Sequence, residues 1–302
     1  MDIRSFTKYC SRSLIKGIIV GLVTLVGASF GHSLALMIGI NMSNPIIFLD
    51  ELSSTLLFLS MITVTAILIG ELFKQLNQPF TERVISIFMY HFFFFYFLRM
   101  FDGFLSSTKS FSFYEILGHI LAAIFFSIAV ALLWKPMNEQ SSLVEKSTNY
   151  FKFKNLKKWL IGYVVASISF ALIYYLTNWL ILPFIEPFYS DLGNNYGRDI
   201  YNFYHLLFAK LIVGGLFVLV LMPIFVLSTM SKTSLLFWIG FPIFVQAAVY
   251  PTSVEVWLPL GIRFPFLIQQ MVITYFMAIM LVQLFYLPSE SDVIDDQFKW
   301  MY

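Results

Sequence analysis

The chain of 302 residues is 59% hydrophobic and only 12% charged, with a mean hydropathy of +0.80. Water-soluble domains carry roughly a quarter of their residues charged, so neither a soluble globular fold nor a disordered chain fits this balance. A net charge of +2 sets up no strong field for a polyanion, which leaves nucleic acid out as a partner, and the single Cys10 allows neither an intramolecular disulfide nor a cysteine-based metal site.

A membrane-spanning helix needs about 20 mostly apolar residues. Eight stretches meet that requirement, roughly 17–40, 54–73, 84–101, 116–134, 159–182, 205–229, 234–250 and 266–287. None alternates polar and apolar residues, so a β-barrel is rejected. The expected fold is an all-α polytopic integral membrane protein, one transmembrane domain over 1–302 with eight helices. A seven-helix count is the main alternative, because 234–250 is short and carries Gly240 and Pro242.

The first stretch follows the basic residues Arg4, Lys8, Arg12 and Lys16. Its apolar run is far longer than the ~7–15 residues of a signal-peptide core, so it reads as an uncleaved signal-anchor helix. Within it, Gly27, Gly31, Ala35 and Gly39 recur every four residues, and Gly17 and Gly21 form a second pair. Small residues at that spacing make a flat face on which another helix packs closely. The third stretch carries His91 near mid-membrane and Arg99 at its outer end, and the fourth carries His119 near the outer boundary. The connection 135–158 follows, rich in lysine. Its end, Tyr150 to Lys158, interleaves aromatics with lysines, a composition that suits an anionic leaflet as well as a topology-setting loop.

An outer connection is expected at 184–204. The sixth stretch carries His205, Lys210 and Pro223, and the seventh Gly240 and Pro242. Prolines in membrane helices free backbone carbonyls, so Pro223, Gly240 and Pro242 are the candidate hinges, with a static kink as the plain reading. Loop 251–265 holds three prolines with Trp257 and Leu258 and is expected to approach the interface. Gln246 in the seventh stretch and Gln269, Gln270 and Thr274 in the eighth suggest a polar seam between the last two helices.

Orientation follows from lysine and arginine. With the N-terminus inside, fourteen lie on inner segments and four on outer ones (Arg99, Lys109, Arg198 and Arg263), while Lys210 lies within a helix. The positive-inside rule then places both termini in the cytoplasm, in an inner membrane of bacterial type, and only an even number of crossings keeps the basic clusters together. The halves 1–134 and 159–287 each begin with a basic lead and two helices, a hydropathy pattern consistent with a parallel four-plus-four repeat.

Ionisable groups inside a bilayer are expensive and suggest function. His32 lies ~10 Å inside the outer end of its helix and Lys210 ~8 Å inside its own. The expected substrate-binding set is His32, His91, Arg99, His119, His205 and Lys210. Three readings fit. One is an outward-biased polar cavity for a polar or anionic group, in a transporter, flippase or channel-like protein. A second is an intramembrane enzyme acting on a lipid-linked substrate at the outer leaflet, with a histidine as base. A third is a non-catalytic membrane subunit in which each polar group bonds a neighbouring helix. No metal-ligand spacing, nucleotide-binding loop or hydrolase motif occurs, so no metal or cofactor is expected. The partners are the lipid bilayer and either further copies of the chain or other membrane subunits.

Overall fold

A computed structural model describes residues 3–40, 51–98, 100, 101, 113–136, 141–191, 203–254 and 259–287. Every regular element among them is helical. In chain order they are α1 (Ile3–Met37), α2 (Glu51–Gln75), α3 (Phe80–His91) running into a π-helical turn π1 (Phe92–Phe97), α4 (Phe113–Leu133), α5 (Leu143–Lys152), α6 (Leu156–Asp191), α7 (Phe203–Leu227), α8 (Lys232–Phe244) running through π2 (Val245–Val249) into α9 (Tyr250–Val254), and α10 (Leu260–Phe285).

Seven helical stretches are long and apolar enough to cross a bilayer: Ser5–Met37, Thr55–Gln75, Phe113–Leu133, Leu156–Phe188, Leu207–Leu227, Lys232–Ser253 and Leu260–Phe285. The chain is therefore a helical membrane protein. The described residues of the sequence stretch 84–101 are helical as well, but the stretch is not among the seven.

Several boundaries differ from the sequence reading. Helix α6 continues past residue 184 to Asp191 with Pro183 and Pro187 inside it, so the expected 184–204 connection begins later. Much of 251–265 is helical too, since α9 reaches Val254 and α10 starts at Leu260; Trp257 and Leu258 lie outside the described residues. Within 135–158 stands a helix, α5, whose N-terminus is capped by Ser142, its hydroxyl accepting from the Val144 N–H at 3.2 Å. A serine cap supplies one of the acceptors that the first turn of a helix lacks.

The chain divides into two compact units. Unit 1 comprises residues 1–140 and 245–264, and unit 2 comprises 141–244 and 265–302. Unit 1 is organised by the glycines of α1. A Cβ built on Gly17 would lie 2.8 Å from the Thr63 carbonyl oxygen of α2. One on Gly27 would lie 2.8 Å from Phe125 of α4, and one on Gly31 2.7 Å from the Leu117 carbonyl oxygen and 2.8 Å from Gly118 Cα. Backbone stands against backbone at Gly31, which no larger residue permits without displacing a helix. Gly39 does not belong to this face. Helix α1 ends at Met37, and Gly39 adopts φ +81° with no atom within 4 Å of an added Cβ. Its N–H donates to the Leu36 carbonyl and that of Ile40 to the Ala35 carbonyl, both at 3.0 Å, closing the helix in a Schellman turn that favours glycine.

In unit 2 the close approach is on α7. Cβ atoms on Gly214 and Gly215 would meet the Ser167 carbonyl oxygen at 2.8 Å and the Tyr163 hydroxyl at 2.3 Å, both on α6. Gly240 of α8 faces the Tyr275 ring of α10, 2.9 Å from an added Cβ. At the end of α10, the Tyr150 hydroxyl donates to the Phe285 carbonyl oxygen and Lys154 Nζ donates to that of Leu284 at 2.9 Å. These cap two carbonyls that the last turn leaves without a helical donor. Burial pushes the Tyr150 hydroxyl well above the ordinary phenol range, so it remains a donor.

Candidate functional site

The residues singled out from sequence divide between the units. His32, His91 and His119 lie in unit 1, while Lys210 and His205 lie in unit 2. Arg99 is outside the described residues, as is the side chain of His205, which belongs to α7. Lys210 is 2% exposed, with its ammonium 3.9 Å from the centre of the Tyr174 ring. That cation–π contact gives a buried lysine an electrostatic partner within the apolar span.

His32 stacks face to face on Tyr114 of α4, ring centres 4.5 Å apart and planes 6° apart. Its imidazole fills the notch left by Gly118, where a Cβ would fall 2.1 Å from Nε2. This histidine is fixed by packing between α1 and α4.

His91 is in a different situation. It is fully buried at the junction of α3 and π1. Its ring stacks on Phe126 of α4 at 3.7 Å and lies tilted against Phe95 at 4.9 Å. Nδ1 stands 3.0 Å from Gln246 Oε1, across 155 positions of sequence. An amide oxygen only accepts, so Nδ1 carries the proton and donates. Gln246 lies in π2, and the two π-helical turns pack against each other within unit 1. π-Turns are rare and concentrate at functional sites. Here they are placed one against the other, with a hydrogen-bonded polar pair between them.

The aromatic run explains why π1 can bury so much. Phe93, Phe94, Phe95 and Tyr96 are consecutive and all at most 5% exposed. Four successive residues of a helix point around most of its circumference, so π1 is enclosed on nearly every side. Phe88–Phe92, Phe93–Phe97 and Phe97–Phe101 stack along it at 5.6, 5.5 and 5.5 Å. Tyr250 of α9 closes the assembly, stacked on Phe95 at 4.3 Å.

Within this aromatic shell sit polar atoms with no hydrogen-bond partner among the described residues: His91 Nε2, Tyr96 Oη and Tyr90 Oη. An unpaired buried polar atom costs about 1–3 kcal/mol. Tyr96 links two histidines, with its ring 5.4 Å from His91 and 4.5 Å from His119. Two of the four histidines thus converge on one phenol. Among the described residues, no group of three or more His, Cys, Asp or Glu side chains is placed to hold a metal ion.

Sequence reasoning named His91 and His119 but not Tyr90 or Tyr96, which were hidden in the run Tyr90-His-Phe-Phe-Phe-Phe-Tyr96. It did not foresee the bond between Gln246 and His91. Of the residues in the expected seam, Gln246 Oε1 accepts from His91 Nδ1 at 3.0 Å, and Gln269 Nε2 donates to Thr177 Oγ1 of α6 at 3.4 Å. The π-turn accounts for this, since it changes which residues face which neighbour. The signal available in sequence was Pro242, one turn before π2, which removes a backbone donor and loosens the helical ladder. No protein-family model, curated protein or solved structure matches this chain.

Proposed function

We propose that this chain is a membrane transport protein whose central binding element is the His91–Gln246 pair, with Tyr96 and His119 beside it. The observation that carries this reading is the set of unpaired polar atoms, His91 Nε2 and the Tyr90 and Tyr96 hydroxyls, buried in the aromatic core of one membrane unit where two π-turns meet. Intramembrane ionisable groups that face a bundle interior mark ion and proton pathways. The Nδ1–H bond to Gln246 orients the imidazole and directs the Nε2 lone pair away from the amide. Nε2 is then the atom that takes a proton or accepts a hydrogen bond from a polar solute, and Tyr96 offers a hydroxyl to the same species. The π-turns supply the helix irregularity on which transporters build substrate sites.

In this reading the chain crosses the bilayer eight times, with α3–π1 as the crossing beyond the seven most apolar ones, and both termini lie in the cytoplasm of a bacterial-type cell. The lysine and arginine distribution supports that orientation. The helix pairs α1–α2 and α6–α7, each led by basic residues, keep the four-plus-four duplication in view.

The test is flux in proteoliposomes carrying an internal pH indicator, challenged with a panel of small organic anions, cations and zwitterions. Wild-type protein is expected to couple entry of at least one solute class to proton movement, and His91→Phe to abolish it. Absence of any solute or proton flux above empty liposomes would overturn the proposal.

A further inference from the structure

A second polar cluster in unit 1 lies away from His91, at the end of the unit where α1 begins. Trp134, directly after α4, is 1% exposed and lies flat in the notch of Gly70, where a Cβ would fall 2.3 Å from the indole. Its Nε1–H donates to Glu71 Oε1 at 2.8 Å. The other carboxylate oxygen meets Lys74 Nζ at 3.6 Å. Tyr9 lies within electrostatic reach of the same carboxylate. Above these rings stand two ammonium groups, Lys16 Nζ 5.1 Å from the Trp134 ring centre and Lys74 Nζ 5.8 Å from that of Tyr9. Arg12 lies within electrostatic reach of Lys16, as do Lys74 and Glu71.

Glu71 is thus occupied by Trp134 and Lys74, and one carboxylate balances one of three cations. The surplus positive charge selects an anion, and the surroundings select the kind. On α1, Ile15, Ile19, Leu22, Val26 and Phe30 are 58, 43, 50, 60 and 55% exposed. Their spacing places them on one helix face, and Arg12 stands one turn before Ile15 at the head of that stripe. An acyl chain fits the stripe while its phosphate meets the cations. A free phosphate has no use for the stripe, and a zwitterionic headgroup brings a second ammonium into a site already rich in positive charge.

We propose that Arg12, Lys16 and Lys74 hold the headgroup phosphate of an anionic phospholipid whose acyl chains lie along the exposed face of α1. Basic clusters among membrane helices, backed by interfacial aromatics, are suited to such headgroups. The site does not depend on His91 or on transport.

Native mass spectrometry of the full chain in detergent tests this, with phosphatidylglycerol and phosphatidylcholine of identical acyl chains added together. The wild type is expected to retain phosphatidylglycerol at collision energies that strip phosphatidylcholine. Lys16→Gln/Lys74→Gln should lower that retention at least fivefold. Lys157→Gln/Lys158→Gln, which removes the same charge elsewhere, should retain it, and so should the wild type in millimolar inorganic phosphate. Equal retention of the two lipids, an unchanged preference in Lys16→Gln/Lys74→Gln, an equal loss in Lys157→Gln/Lys158→Gln, or displacement by phosphate alone would each overturn the proposal. If the double variant does not fold, Arg12→Gln, at an exposed position, must by itself reduce retention, and an unchanged adduct there counts against the site.

Discussion

The buried aromatic hydroxyls of the two units stand in contrasting situations. In unit 2, Tyr150 and Lys154 cap the end of α10, Gln269 reaches Thr177, Tyr286 donates to the Met230 carbonyl at 3.3 Å, and Lys210 rests on Tyr174, while Ser141 Oγ has no partner among the described residues. In unit 1 the hydroxyls of Tyr90 and Tyr96 and Nε2 of His91 are buried as deeply and have no hydrogen-bond partner among the described residues. Matched groups hold helices together. Unmatched ones reduce stability, and a fold keeps them where they serve a purpose other than stability. On this contrast rests the proposal that the interior of unit 1 is the working site and that the polar contacts of unit 2 are structural.

The contrast breaks most visibly at His91. His91→Phe keeps a flat ring against Phe126 and removes both nitrogens, so coupled flux should fall to the level of empty liposomes while detergent-solubilised protein stays folded by circular dichroism. Flux at the wild-type level would dissolve the distinction between the units.

The next effect is on helix packing. Gly31→Val forces a side chain against the Leu117 backbone, and overpacking of this kind costs about 1–3 kcal/mol. In unit 2, the added methyl of Gly162→Ala meets the Phe285 ring at 3.6 and 3.7 Å, an ordinary contact. Thermal unfolding in detergent should therefore show a lower midpoint for Gly31→Val and almost none of that loss for Gly162→Ala. Equal shifts would mean that the close approach of α1 and α4 is not a constraint.

The smallest effect is the sharpest in sign. Tyr96→Phe deletes an unpaired buried hydroxyl and should raise the unfolding midpoint, by about 1 kcal/mol of stability, while lowering flux. Tyr150→Phe deletes a paired one and should lower the midpoint by about as much with flux retained. Midpoints that move in the same direction for both would contradict the division into matched and unmatched groups.

Much of this was legible from residues alone, for identifiable reasons. Long apolar runs make spans by solvent exclusion, so the helices were plain, including the weak 234–250 stretch, which is part of the Lys232–Ser253 span. The four-residue recurrence of small residues pointed to the side of α1 where Gly27 and Gly31 meet α4. It overran at Gly39, because a glycine spaced to continue a helix face is also the residue best able to end the helix. The site was only half visible. Residue type picked out His91 and His119, yet nothing in a 3.6-residue period shows where a helix widens into a π-turn, and that widening accompanies the pairing of Gln246 with His91. Tyr90 and Tyr96 were camouflaged by four phenylalanines, since a buried phenol without a partner differs from a lipid-facing one only in its environment.

The most direct measurement is solute-coupled proton uptake into proteoliposomes, with His91→Phe and Tyr150→Phe compared against wild type at matched protein density. Uptake at the empty-liposome level for His91→Phe and at the wild-type level for Tyr150→Phe is the predicted result. Wild-type uptake by His91→Phe would contradict the assignment of the π-turn core of unit 1 as the working centre.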